Sequence, residues 1–197
     1  MRALMSFSIS VILLASLPSL ARADGEPVAA AVLNLKVKTD ASSVTYHVVH
    51  KLHKVDGTSK KVDGRARVQS GGATQVAIRV PIESFDSQNV NRDEHMKEVA
   101  EAARYPNVEL KAVAEGLTIP SSFPSTVQKT WKAQVTVHGV TQMMDIPVTV
   151  KFEAADRVVA TTSFQIGFDA FKIERPSLMF VKVEDAIKIE ASLTFTP

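Results

Sequence analysis

Apolar and polar residues alternate with a period of two through nearly everything after residue 33, and one stretch, Arg92 to Ala103, changes to a helical spacing. Strands present alternate side chains to opposite faces, so this pattern predicts sheets with one wet and one buried face. Strand candidates fall at about 33–39, 43–53, 62–70, 73–82, 107–117, 128–138, 143–153, 157–168 and 185–195. The alternation is cleanest in Val76/Ile78/Val80/Ile82, in Ile146/Val148/Val150/Phe152 and in Ile187/Ile189/Ala191/Leu193/Phe195, whose partners Lys188/Glu190/Ser192/Thr194 are polar. Turn signals at Asp56-Gly57, Gly71-Gly72, His138-Gly139 and the Pro120/Pro124 loop separate the segments. Sandwich and barrel both satisfy this pattern; closure has the advantage of leaving no unpaired edge.

The single helix is specified locally. Asn91 is placed to cap it, Asp93 and Glu94 fall in its first turn, and Asn91-x-x-Glu94 has the spacing of a capping box. Met96, Val99 and Ala103 form a narrow apolar stripe that predicts packing against the sheet.

Ahead of the strands, Met1-Arg2 supplies a positive start, Ala3 to Leu20 an uncharged apolar run, and Ala21-Arg22-Ala23 a small-residue exit. That succession predicts a signal peptide over 1–23, cleaved before Asp24, followed by a flexible lead-in over 24–32 and one domain over 33–197. The competing reading is an uncleaved anchor, because the apolar run approaches the roughly 20 residues that span a bilayer. Pro18 and the small-residue exit favour cleavage. The chain has 0 cysteines, which excludes disulfides, thiolate catalysis and thiolate metal sites. Of its 23 Lys+Arg, Arg2 and Arg22 lie in the leader, so the exported part balances its 21 Asp+Glu and carries no nucleic-acid footprint.

If the apolar parity faces inward, Gly64, Ala66, Ala112, Ala114, Ala133, Ala160 and Ala191 point inside beside the larger Tyr46, Trp131, Phe164 and Phe168. Such a mixture either leaves room for a ligand or lets small residues accommodate large ones opposite, and parity alone balances the two. No G-x-S-x-G, S-x-x-K, H-E-x-x-H, P-loop or dinucleotide-glycine pattern occurs, so no motif supports an enzyme. His47, His50 and His53 invite a metal reading. On one regular strand, however, His50 faces away from the other two, which stand about 20 Å apart. No metal or other cofactor is therefore expected.

Val44-x-Tyr46-x-Val48-x-His50, Asn91-Arg92-Asp93-Glu94-His95-Met96, Tyr105-Pro106, Gly139-Val140-Thr141, Phe171-Lys172-Ile173 and Val183-Glu184-Asp185-Ala186-Ile187 form a set of segments. Together they resemble the YceI-like family of periplasmic, lipocalin-like barrels that bind polyisoprenoids and related lipids. The Arg-Asp-Glu-His helix start followed by Tyr-Pro is the most specific of them. Lys172 departs from the pattern, standing where the family often has glycine, and Arg175-Pro176-Ser177-Leu178 is a loop variant.

The resemblance implies a lipocalin-like antiparallel barrel with one helix packed on it. It also implies a periplasmic location and a cavity for an isoprenoid, a quinone or another long-chain amphiphile. The expected ligand contacts are Tyr46, His50, Trp131, Phe164, Ile166, Phe168 and Phe171, with Tyr46 and His50 as polar groups at the mouth. The plainer role for His50 is a buried ring bonded to backbone. Burying hydrocarbon yields roughly 0.8 kcal/mol per CH2, so a few isoprene units carry on the order of 10 kcal/mol of transfer free energy. Competing readings are a filled-core structural or partner-binding barrel and an enzyme acting on a lipid-like substrate. Between Lys51 and Arg67, six basic residues face only Asp56 and Asp63, a charge that attracts a diphosphate head or an anionic membrane surface or else only deters edge pairing. The sequence leaves open whether two barrels pair as a homodimer.

Overall fold

The computed structural model describes residues 32–50, 53–178 and 181–197; the expected signal peptide, and the lead-in up to residue 31, lie outside the described residues. The chain opens with β1 (Val32–Val37), β2 (Ser43–His50), β3 (His53–Ser59), β4 (Asp63–Gln69), β5 (Ala73–Pro81) and β6 (Phe85–Asp86). The helix α1 (Val90–Val99) follows, then β7 (Asn107–Glu115), β8 (Ser125–Val137), β9 (Val140–Ala154) and β10 (Arg157–Gly167). A short hairpin, β11 (Ser177–Leu178) and β12 (Val181–Lys182), precedes β13 (Ala186–Thr196).

Eight of these strands close a ring in the order β1-β4-β5-β7-β8-β9-β10-β13, all antiparallel, with β13 returning to β1 through Lys36↔Thr196 and Val37↔Phe195. Closure settles the choice between sandwich and barrel, and it gives the edges of β1 and β13 partners. The other half of β13 pairs with β2 from Ser192↔Ser43 to Ile187↔Val48, and β2 carries β3 and β6 outward as a flap. One edge of β13 thus serves two strands, and the chain must step between them at Thr39–Ala41. Buried Ser42 and Thr194 hold that step: Thr194 N–H donates to Ser42 Oγ at 3.0 Å, and Thr194 Oγ1 donates to the Ala41 carbonyl at 3.0 Å.

The predicted inward parity holds along the walls. Val76, Ile78 and Val80 of β5, Ile146 to Phe152 of β9 and Ile187 to Phe195 of β13 all face the interior. The expected strand over 43–53 is instead two strands that reverse direction between His50 and His53, which pair with each other. His47 and His53 therefore lie on different strands, and the single-strand spacing drawn from them does not apply. Asp56-Gly57 is not a turn either. Gly57 sits inside β3 opposite Tyr46, where an added Cβ would lie 2.4 Å from the tyrosine ring, so glycine serves a close approach. His138-Gly139 is the two-residue hairpin turn expected, with φ of 51° and 70°.

The helix begins at Val90, about half a turn earlier than its sequence signals suggest, and ends sooner, at Val99. Asn89, not Asn91, is the cap, its Oδ1 accepting from Arg92 N–H at 3.1 Å. At the other end Glu101 takes a left-handed φ of 45°, and Ala102 N–H reaches back to the Lys97 carbonyl at 2.9 Å, a Schellman closure. Ala103 consequently falls outside the helix and is exposed, whereas Met96 and Val99 pack toward the barrel as expected.

Candidate ligand-binding chamber

The barrel interior has two levels. The lower is a cavity of about 130 Å³ walled by side chains from β1, β4, β5, β7 to β10 and β13. The upper, about 470 Å³, opens beneath α1. Val44, Val80, Val108, Val135, Phe164 and Ile189 border both, so the levels meet at one shared collar of side chains. Ala66, Ala112, Ala133, Ala160 and Ala191 line the lower cavity, where their small side chains leave the space. Gly64 leaves none, because a Cβ there would lie 2.6 Å from Ile78 Cδ1.

The strands place Tyr46, His50, Phe164, Ile166 and Phe168 around the upper level. Trp131 lines the lower one, and Phe164 reaches both. Phe171 borders neither; it is buried in the core beside the upper level, and its carbonyl accepts from the His138 ring at 3.3 Å. Phe85, Arg92 and Ile173 also border the upper level; Phe85 carried no sequence signal, whereas Arg92 and Ile173 fall in segments that carry the family resemblance without being expected as ligand contacts. Met96 and Val99 were legible as an apolar stripe, but only as packing residues; they also roof a space.

Polar groups at the mouth are tied to the protein. His50 is buried and its Nε2 lies 3.1 Å from the Val181 carbonyl, which can only accept, so that nitrogen carries the proton. Glu184 N–H donates to the Val49 carbonyl at 2.9 Å, so two bonds fasten the β11–β12 strap over the end of β2. Arg92 donates from Nε to Ser87 Oγ at 2.9 Å and from Nη2 to the Ser87 carbonyl, and Ser87 in turn donates to Asp93. This network holds the start of α1 against the loop after β6. Tyr46 packs on Phe85 with ring centroids 5.4 Å apart. Burial, reinforced by the Asp93 carboxylate, pushes its phenol up to about 12, so it is a neutral hydrogen-bonding group at any physiological pH.

Outside the barrel, His47 bridges Asp56 at 2.7 Å and Glu190 at 3.2 Å, joining β2 to both neighbours. Among the described residues no group of three His, Cys, Asp or Glu is placed to hold a metal ion. The described cations of the basic stretch are spread out: Lys54 lies near the β2–β3 reversal, Lys60 and Lys61 at the other end of β3, and Arg65 and Arg67 on the outer wall of β4. No described helix is long and apolar enough to cross a membrane.

A closed eight-strand antiparallel wall around an apolar interior, with a single helix over one end, is a lipocalin-like barrel. The chain belongs to the YceI-like domain family, whose match runs over residues 35–195. Among solved structures, it is similar to a polyisoprenoid binding domain from Saccharophagus degradans, with a TM-score of 0.68 and 15% identity over 82% of this chain and 97% of that one. Burkholderia cenocepacia BcnA follows at 0.63 and 18%, covering 80% and 98%, and a Campylobacter jejuni YCEI protein at 0.59 and 14%, covering 76% and 88%. At these identities the likeness is one of fold. No curated protein matches the chain in sequence.

Proposed function

We propose that this protein is an exported binding protein that holds a polyisoprenoid, quinone or similar long-chain amphiphile inside the barrel and carries or sequesters it in the periplasm. The observation that carries the reading is the two-level apolar interior beneath a tethered helix. An upper level of about 470 Å³ falls within the usual range for small-molecule sites. Each buried CH2 contributes roughly 0.8 kcal/mol, which an aqueous compartment cannot offer. The binding named for the Saccharophagus degradans neighbour supports the same ligand class. Export rests on the leader pattern over residues 1–23. No catalytic role is assigned to Tyr46 or His50; we read both as contacts for the ligand at the mouth, with Phe164, Ile166, Phe168 and Trp131 along its chain and Phe171 as support behind them.

Mass spectrometry of the organic extract of protein purified with its own leader from a bacterial periplasm, beside an empty-vector control, tests the reading. A stoichiometric isoprenoid or quinone is the expected result. A clean extract from folded protein overturns it in favour of a barrel that binds partners through its surface. Delivery to an anionic membrane through the basic stretch is a separable part of the proposal: Lys60→Glu with Lys61→Glu lowers partition onto phosphatidylglycerol vesicles severalfold at low salt, and unchanged partition removes that part.

A further inference from the structure

Phe164 is the only aromatic side chain in the collar that joins the two levels. The other five are valines and one isoleucine, whose branched side chains are stiff at χ1, so Phe164 is the largest group that can turn there. The register around it leaves one direction for that turn. Phe164 pairs directly with Ile189; on the mouth side its neighbours are Ile166 and Ile187, which pair with each other, and on the floor side Thr162 and Ala191, which do the same. Ile166 and Ile187 are buried and leave no room above. Below, Thr162 and Ala191 are small, Thr162 commits its hydroxyl to the Pro147 carbonyl at 2.7 Å, and Ala160 follows on the same face of β10. These three line the lower cavity of about 130 Å³. On the other side of β10, the register with β9 ends at Thr162↔Val148, so no β9 residue is paired beside Phe164. The ring is only partly buried although it faces the interior, and its free surface borders both levels.

We infer that Phe164 is the chain-length determinant of this barrel, a ring that must turn toward the floor, against Thr162 and Ala191, before a hydrocarbon chain can pass from the upper level to the lower. The inference rests on the carrier reading and adds a length rule to it. A chain that ends in the upper level leaves the ring in place. A longer one reaches the lower level, and Trp131 in its wall, only by displacing it. Moving the ring out of its preferred rotamer has a fixed cost, whereas each methylene buried beneath the collar adds about fourfold in affinity. Affinity therefore pauses when the chain reaches the collar and rises again once enough carbons lie below it.

A series of n-alkanols brominated at the far end, from decanol to eicosanol, tests this on the full exported chain. The hydroxyl belongs at the mouth, so the bromine travels with the advancing end. Trp131 is the only tryptophan and lines the lower level but not the upper, and bromine quenches indole emission only near contact. Affinity relative to decanol is expected to rise about fourfold per methylene, pause over about two carbons and rise again, with quenching of Trp131 beginning where the pause ends. In Phe164→Ala the pause disappears, chains of those lengths bind about tenfold more tightly relative to decanol, and quenching begins at shorter chains. Adding Ala160→Leu to that variant refills the space beneath and ends the rise at the collar. A rise without a pause in the unaltered protein, or a pause that Phe164→Ala leaves at the same lengths, overturns the inference and leaves the carrier reading standing. Quenching by the shortest chains that bind overturns it too, because those chains would already lie in the lower level. If no alkanol binds, the carrier reading falls and takes the gate with it. Should Phe164→Ala fail to fold, Phe164→Leu shortens the pause, and a pause unchanged in that variant overturns the inference.

Discussion

The floor and the mouth of this barrel are built on opposite plans. At the floor the walls are mainly strands of the closed ring, and the side chains that close it, Phe152, Val158 and Phe195 with Leu117 from the loop after β7, are among the most buried in the molecule. At the mouth the walls are completed by a helix with no buried residue, a two-stranded strap and a flap, each held by a few hydrogen bonds. The floor has few polar groups and leaves Thr74 Oγ1 and Trp131 Nε1 unpartnered; the mouth has many and pairs those of Arg92, Ser87 and Asp93. The division suits a container, whose stability is a property of the ring and whose access is a property of pieces attached to it.

Removing a side chain from each end measures that difference most directly. Phe152→Ala empties a fully buried position and is expected to cost about 3–5 kcal/mol in urea unfolding. Met96→Ala removes a partly buried side chain from α1 and should cost about 1 kcal/mol. Equal costs would mean that the helix is part of the cooperative core. The flap should respond between these limits. Gly57→Ala drives a methyl group to within 2.4 Å of the Tyr46 ring, across a hairpin whose backbone is fixed on both sides. The expected loss is about 1–3 kcal/mol, with Tyr46 displaced from Phe85 and a changed near-ultraviolet tyrosine signal.

Alkaline pH probes the mouth without a mutation. The Tyr46 phenol titrates at about 12 in the fold, against an ordinary value of 10.0. Between those values the unfolded chain releases the proton first, so its stabilisation relative to the folded state grows with pH. Protein stability is therefore complete with respect to this group below pH 10.0 and falls as pH rises from there toward about 12. In Tyr46→Phe that part of the fall disappears. Urea midpoints of the two proteins at about pH 9 and about pH 11 give the difference. A parallel decline in both would place the tyrosine in water and open the mouth more widely than described.

The same contrast explains what could be read from the chain. The ring was legible because alternation over long strands such as β9 leaves only one face to bury, and because His138-Gly139 fits a tight hairpin turn. The mouth was not, since its pieces follow no period. Two asparagines two residues apart compete to cap α1, and only the bond from Arg92 N–H decides for Asn89. Asp56-Gly57 has the composition of a turn, yet the glycine is there for a ring on the neighbouring strand, a requirement that local sequence does not carry. Of the proposed contact residues, the aromatic set on β2, β8 and β10 follows from parity, whereas the levels at which Tyr46 and Trp131 sit depend on register between strands far apart in sequence.

The departure at Lys172 supplies the smallest effect and the sharpest local test. The three-residue helical turn Asp169–Phe171 ends on Lys172 with φ of 56°, and Lys172 N–H caps it by donating to the Asp169 carbonyl at 3.1 Å. A left-handed backbone crowds any Cβ, which gives a physical reason for the glycine often found at this place in the family. Lys172 is exposed, so its side chain offsets little of that strain. Lys172→Gly should stabilise the protein by about 0.5–1 kcal/mol, the relief of strain being reduced by the greater freedom of glycine in the unfolded chain. The gain should appear in the urea midpoint and leave ligand binding in the barrel unchanged, because the turn lies behind Phe171 and borders neither level of the cavity. A loss of stability instead would mean that Lys172 makes an interaction at the rim that outweighs its strain, and that the mouth is more firmly built than its few bonds indicate.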